Sequence, residues 1–382
     1  MNKEAIIIAI GGDVCPRGTI EDAFKNGEEE KILNNVLPVF KDADFRIINL
    51  ECPLIFKETP IEKDGPILDA NIDAVYGLNA IGIDAVNLAN NHILDHGKEG
   101  LKSTIESCKK HNIAFFGAAK NLEEAQKPLI KTIGGKRFCF MGVAEHEFSI
   151  AKDNNWGANP LDPIKIVRTL KTYRSSFDFL IVLVHGGKEY YRNPTPKQQD
   201  FCRFLVEEGA AAVICQHSHC AGTYEYYKDK PIIYGQGNFI FENLGRNTKM
   251  WNEGFLVNLV YTEDKVATEF IPFTQSKGNL GVLLMQGKEK KEFLRNLEER
   301  SKKIISTKYV KEQWLELCKK EKYLYASRVL GHNRVLRVLN RKFHFSDWLY
   351  SKTTKMMVRN VVECEVHREG LETLWNDEKT IT

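Results

Sequence analysis

The sequence predicts an α/β domain with a largely buried sheet, followed by a basic helical extension. Two observations predict it. Up to about residue 245, short β-rich apolar runs alternate with helical stretches. Beyond Gln286-Gly287 the texture changes to charged helices without strand signals. The expected division is therefore a domain over 1–280 and a basic, mainly helical extension over 281–382. The chain has 382 residues, 43% apolar and 27% charged. That is ample material for a core, which excludes disorder over the whole length. Apolar runs such as Ala5–Ile10 fall far short of the ~20 residues that a membrane-spanning helix needs.

The elements follow in order. Strands are expected at Ala5–Ile10, Phe45–Asn49, Ala85–Ala89, Arg137–Val143, Phe179–Val184, Ala211–Cys215 and Pro231–Tyr234. Helices are expected between them at Glu28–Leu37, Ile72–Ala80, Lys98–Lys110, Pro163–Ser175 and Thr195–Glu208. Asp162 before Pro163 reads as an N-cap followed by a first-turn proline, and Gly209 as a helix stop. Gly254–Tyr261 and Val266–Pro272 read as a closing hairpin over Thr262–Lys265.

The nine cysteines are scattered and include no CxxC pair, which suits free thiols in a reducing compartment. Met1-Asn2-Lys3-Glu4 reads as the lead-in to a strand and not as a signal peptide. The expectation is a cytoplasmic protein, with peripheral contact at the inner face of the membrane as a further option.

The strands end in polar residues able to bind metal. These ends are Gly11-Gly12-Asp13 with Arg17 after it, Asn49-Leu50-Glu51, and Asn90-Asn91-His92 with Asp95. They continue with His185-Gly186-Gly187-Lys188-Glu189, His217-Ser218-His219 and Gly237-Asn238-Phe239. In an open α/β sheet ligands bind outside the carboxyl ends of the strands, so these six segments are expected to converge on one edge. Carboxylate, amide and imidazole ligands together suit Mn, Fe or Zn. Two such ions about 3.5–4 Å apart stabilise both the attacking and the leaving oxygen of a phosphoryl displacement. Each residue also has a plainer reading. Asp13 could cap a turn, Glu51 could be a surface-loop acid, and Asn90-Asn91 could satisfy a turn. His217 and His219 could be a satisfied buried pair; in extended chain their i, i+2 spacing would point both rings the same way. Cys215 and Cys220 flank them, but a structural zinc normally shows closer thiol pairing. The order of the six segments argues against accident.

Those segments, with Cys52-Pro53, Ile93-Leu94-Asp95-His96-Gly97, Tyr190 and the stretch Gly209–His219, resemble the CapA-type capsule synthesis family over residues 6–241. That family is similar to the calcineurin-like metallophosphoesterases, which implies a four-layer α/β/β/α sandwich. The resemblance implies two divalent ions held by Asp13, Glu51, Asn91, His185, His217 and His219. It gives His92 the part of general acid or transition-state stabiliser, Asp95 that of orienting it, and Arg17 that of binding an anionic substrate or bracing the site. Asn90, Glu189 and Asn238 fall to substrate binding. Three positions depart from ordinary metallophosphoesterases: Cys15 stands where Asp-x-His has its histidine, Glu51 replaces an aspartate, and Gln216 replaces a glycine. The implied function is a metal-dependent phosphoesterase-like hydrolase in capsule or poly-γ-glutamate biosynthesis. The rivals are a non-catalytic, metal-containing assembly or binding component of the capsule machinery, and hydrolysis of an amide or ester in the polymer. The implied partners are an anionic polymer or phosphorylated substrate and capsule-synthesis membrane proteins.

The net charge of +3 hides an asymmetry. Lys288–Arg359 holds 20 Lys and Arg against 8 Asp and Glu. Within Tyr323–Arg359, basic residues such as Arg334, Arg337 and Arg341 interleave with Val335, Leu336, Val338, Leu339, Phe343 and Trp348, and Asp347 is the sole acid. The plainest reading is a helix packed on the catalytic domain with its arginines outward. The alternatives are an anionic membrane surface, or a protein or anionic-polymer partner. No nucleic-acid motif accompanies the charge, so nucleic acid is not expected.

Overall fold

The computed structural model describes residues 5–242, 248–262, 266–275 and 281–376. Its main strands, in chain order, begin with β1 (Ile6–Cys15), β2 (Phe45–Leu50), β3 (Ala85–Asn87), β4 (Ala114–Phe116), β5 (Leu129–Ile133), β6 (Lys136–Ala144) and β7 (Phe179–His185). They continue with β8 (Ala210–Gln216), β9 (Tyr224–Tyr227), β10 (Lys230–Ile233), β11 (Asn238–Phe241), β12 (Glu253–Tyr261), β13 (Val266–Gln275) and β14 (Val282–Leu284). One eight-stranded sheet runs β14-β13-β12-β1-β2-β3-β4, with β11 also paired to β1. A six-stranded sheet runs β9-β10-β8-β7-β6-β5.

Side-chain alternation along the strands builds four layers. Ile8, Ile10, Phe45 and Ile47 of the larger sheet meet Phe138, Phe140, Ile181 and Leu183 of the smaller one in a core between the sheets. The intervening residues Ala9, Ile48 and Val86 face outward onto a helical layer with Phe24, Leu78 and Leu101. On the opposite side Met141, Val182 and Val213 pack against Ile166, Leu170 and Leu205. The expected α/β/β/α sandwich is the observed fold.

All seven expected strands form. The helix expected over 28–37 breaks into Glu29–Leu33, a 3-10 turn at Asn34–Val36 and Leu37–Lys41. Asn34 sits at φ 44° and Pro38 lacks an N–H, which together end continuous α-helix. The expected cap forms, Asp162 accepting from the backbone N–H of Ile164 and Lys165, and the structure adds one at Thr195, which accepts from that of Gln198. The expected hairpin is β12–β13, while residues 263–265 of its turn lie outside the described residues. Asn238 opens a strand, where the sequence reading had it closing one. All nine cysteines are free.

The first compact unit runs to Val310, beyond the texture change near 280. The reason is that helix Gly287–Ile304 buries Phe293, Leu297 and Ile304. The second unit, from Lys311, is helical, and in it Asn340 donates to Ser327 Oγ at 2.8 Å and accepts from the Ser346 N–H at 2.9 Å. Among the described residues no helix is long and apolar enough to cross a membrane.

Candidate metal centre

Strand register assembles half of the centre. Asn238, Asp13, Asn49 and Asn87 lie side by side across β11, β1, β2 and β3. β1 changes neighbours at this point. Its residues Ile6–Ile10 pair with β12, and Asp13–Cys15 pair with β11. Gly12 permits the exchange: a Cβ there would lie 2.0 Å from the Gly237 carbonyl oxygen. The smaller sheet supplies His185 at the end of β7, in register with Gln216, after which come His217 and His219. Gln216 Nε2 donates to the Gly11 carbonyl at 2.9 Å and so ties the two sheets together beneath the site.

The expected ligands come together. Asp13, Glu51 and His219 offer ligand atoms within 4.8 Å of one another, and so do Glu51, His185 and His217. Glu51 belongs to both groups. Its Oε1 is 3.4 Å from His185 Nε2 and 3.8 Å from His219 Nε2. Asn91 Oδ1 is 2.9 Å from His185 Nε2, and His217 Nδ1 is 3.1 Å from the same atom. His217 and His219 do not lie in extended chain, as their spacing suggested. They sit at φ 94° and 51°, with ring centroids 6.1 Å apart. Left-handed backbone at non-glycine residues is costly, and such strain gathers at functional sites.

The electrostatics suit cations. Burial, and then Asp13 beside it, pushes the Glu51 carboxyl well above its usual range. Both Glu51 oxygens are buried without a hydrogen-bond partner among the described residues. Such orphaned buried acceptors are rare in folded proteins unless an ion or water completes them. Burial holds His185 below its ordinary value and His217 well below it, which favours the neutral, ligating imidazole. These residues fit divalent ions.

His92 and Asp95 form a pair beside the centre, with His92 Nδ1 2.6 Å from Asp95 Oδ2. Asn90 serves the loop that carries them: it donates to the Leu50 carbonyl at 2.8 Å and accepts from the His92 N–H at 3.1 Å. Asn238 Oδ1 lies 2.8 Å from His219 Nδ1. Arg17 is 3.9 Å from Asp69 and partly exposed. Glu189 makes its presence felt by charge, acting on Glu51 and His185.

Residues 7–243 match a family described as bacterial capsule synthesis protein PGA_cap. The chain belongs to that family. It is 24% identical over 259 residues to the capsule biosynthesis protein CapA of Bacillus anthracis, covering 65% of this chain and 62% of that protein. It is 28% identical over 236 residues to the PGA biosynthesis protein CapA of Bacillus subtilis, covering 60% and 62%. The chain thus matches less than two thirds of the length of these relatives. Among solved structures, a 5'-nucleotidase from Candida albicans aligns at TM-score 0.41 and 10% identity, covering 83% of this chain and 58% of that one.

Three participants in this PGA_cap chain receive no role from the sequence. Asn49 donates to Asp13 Oδ1 at 2.8 Å and lies 3.1 Å from His185 Nδ1, so it braces two ligands at once. It stands in the Asn-Leu-Glu segment, which is signal enough in retrospect. Glu147 accepts from Asn91 Nδ2 at 3.0 Å, fixing which atom of that amide faces His185. Lys63 Nζ is 2.6 Å from Asp95 Oδ1 and 3.3 Å from His92 Nδ1, with its side chain 2% exposed. It comes from an irregular stretch with no periodic pattern, and only folding reveals it.

Proposed function

We propose that this PGA_cap protein is a metal-dependent hydrolase of phosphate esters serving synthesis of an extracellular anionic polymer, such as a capsule or poly-γ-glutamate. The observation that carries the reading is Glu51, a buried carboxylate with two unpartnered oxygens shared between two ligand groups. Asp13, Glu51, Asn91, His185, His217 and His219 would hold two divalent ions of the Mn, Fe or Zn class. Bound ions of this kind supply Lewis-acid charge stabilisation and lower the pKa of water.

The chain's own residues do the rest. Asp95 beside His92 Nδ1 keeps a proton on that nitrogen, which leaves Nε2 as the exchanging atom. In the proposed reaction Nε2 carries a proton to the leaving oxygen, and Asp95 stabilises the imidazolium that precedes transfer. Help of this kind is typically worth about 10²–10⁴ in rate. The pair also favours catalysis over a purely structural centre, which has no use for an oriented imidazole beside its ligands.

The test is turnover of bis-p-nitrophenyl phosphate with added Mn²⁺. His217→Ala is expected to lose both metal and hydrolysis. His92→Ala is expected to keep metal and lose about 10²–10⁴ of the rate. Full metal-dependent activity in both variants would sink the assignment. Stoichiometric metal without any turnover would favour the assembly-component reading.

A further inference from the structure

We infer that the helical unit beyond Lys311 docks on an anionic lipid bilayer, with helix Arg334–Phe343 lying in the interface plane. The sequence alone left this stretch open to a packed helix with its arginines outward. Within its own unit the apolar side chains of this helix are exposed. Val335, Val338 and Phe343 are 66%, 60% and 59% exposed. With Leu339 they recur at i, i+3, i+4 and i+8, which places them on one face. The helix turns its polar Asn340 inward instead, to Ser327 Oγ and the Tyr323 carbonyl. Among the described residues of its own unit, an amphipathic helix with its polar residue inside and its apolar stripe outside has no cover for that stripe.

Charge identifies the cover. Arg334 and Arg341, exposed beside the stripe, and Arg337 near them have no ion-pair partner among the described residues, and Arg328 is likewise unpaired. Trp348, 74% exposed, Leu349, Met356 and Met357 are further exposed apolar side chains of this unit. Lys352 and Lys355 lie among them, while Asp347 is already engaged by Lys322 and Tyr323. Exposed apolar side chains flanked along one side by arginines without ion-pair partners among the described residues match the requirements of a helix buried to the headgroup boundary of an anionic leaflet. A protein groove of equal reach would have to supply both an apolar floor and several carboxylates; an anionic bilayer supplies both everywhere. The inference does not depend on the metal centre.

Vesicle flotation with the full chain tests it, comparing phosphatidylglycerol-rich with pure phosphatidylcholine vesicles at low and at physiological salt. The chain is expected to float with the anionic vesicles, and less so as salt rises. The triple variant Arg334→Gln, Arg337→Gln, Arg341→Gln is expected to bind about 10²-fold more weakly. The variant Val335→Glu, Val338→Glu, Phe343→Glu alters only exposed side chains and is expected to lose binding while keeping its helical circular dichroism. Four results would overturn the inference. They are no flotation at low salt, binding undiminished in either variant, equal binding to neutral vesicles, and self-association through this face, seen as a dimer that the Glu variant abolishes while vesicles are ignored.

Discussion

Lys63 shows how much of this chemistry lives in single contacts. Its ammonium neutralises Asp95 in a buried setting where the Leu68 N–H, 2.7 Å from Oδ2, is the further donor. Removing one partner of a buried ion pair leaves an uncompensated charge and typically costs about 3–5 kcal/mol. Lys63→Met is therefore expected to lower stability by about 3 kcal/mol in urea unfolding, since His92 and Leu68 still hold Asp95. It should also lower kcat while leaving metal content unchanged, because Lys63 touches the His92–Asp95 pair and no ligand. Protons compete at the ligands themselves. Burial holds His185 and His217 below the ordinary value of about 6.5, so between those depressed values and 6.5 the folded chain binds fewer protons than the unfolded one. The linked stability is present above about pH 6.5 and is lost as pH falls through the folded values. The same protons displace cations from imidazole, so metal retained after dialysis should fall across that window.

At the scale of elements, the centre depends on how strands end. β1 must leave β12 and join β11 within two glycines, and the backbone of Gly237 fills the space beside Gly12. Gly12→Ala is expected to cost at least about 3 kcal/mol, the upper end of overpacking penalties, and to lower metal affinity by displacing Asp13. A chemical melt beside a metal titration checks both; an unchanged melt would mean that β1 and β11 yield more easily than their contact implies. Strand ends were also what the sequence displayed best. Asp13, Glu51, Asn91, His185, His217 and His219 were legible because each follows an apolar run long enough to be a strand. Asn238 was legible as a residue but not as a strand start, since its run Asn238–Phe241 is short and follows a glycine. The break of the helix over 28–37 was legible in principle from Pro38, whereas the left-handed backbone of His217 and His219 was not. At His217 that conformation accompanies the contact of its N–H with Asp13 Oδ2 at 3.0 Å, a tertiary interaction across 204 positions of sequence.

At the scale of the molecule, the two sheets meet twice. They meet in an apolar core, where Phe45 of the larger sheet stacks on Phe140 of the smaller at 5.3 Å between ring centroids. They meet again at the rim, where Asp13 and Glu51 of one face His185, His217 and His219 of the other. Phe140→Ala is expected to cost about 3–5 kcal/mol, and added divalent metal should recover part of that loss, because ions held as proposed between the sheets would bind only the folded chain. In the proposed centre shared ligands pair the two sheets, and Glu51 is where that pairing can be broken. The most direct measurement is the metal content of the purified chain by plasma mass spectrometry, wild type against Glu51→Gln. About two divalent ions per chain are expected in the wild type and fewer than about one in the variant, because in the proposed centre the Glu51 carboxylate would serve both positions. A wild-type chain that retains no metal, or a Glu51→Gln variant that retains as much as the wild type, would contradict it.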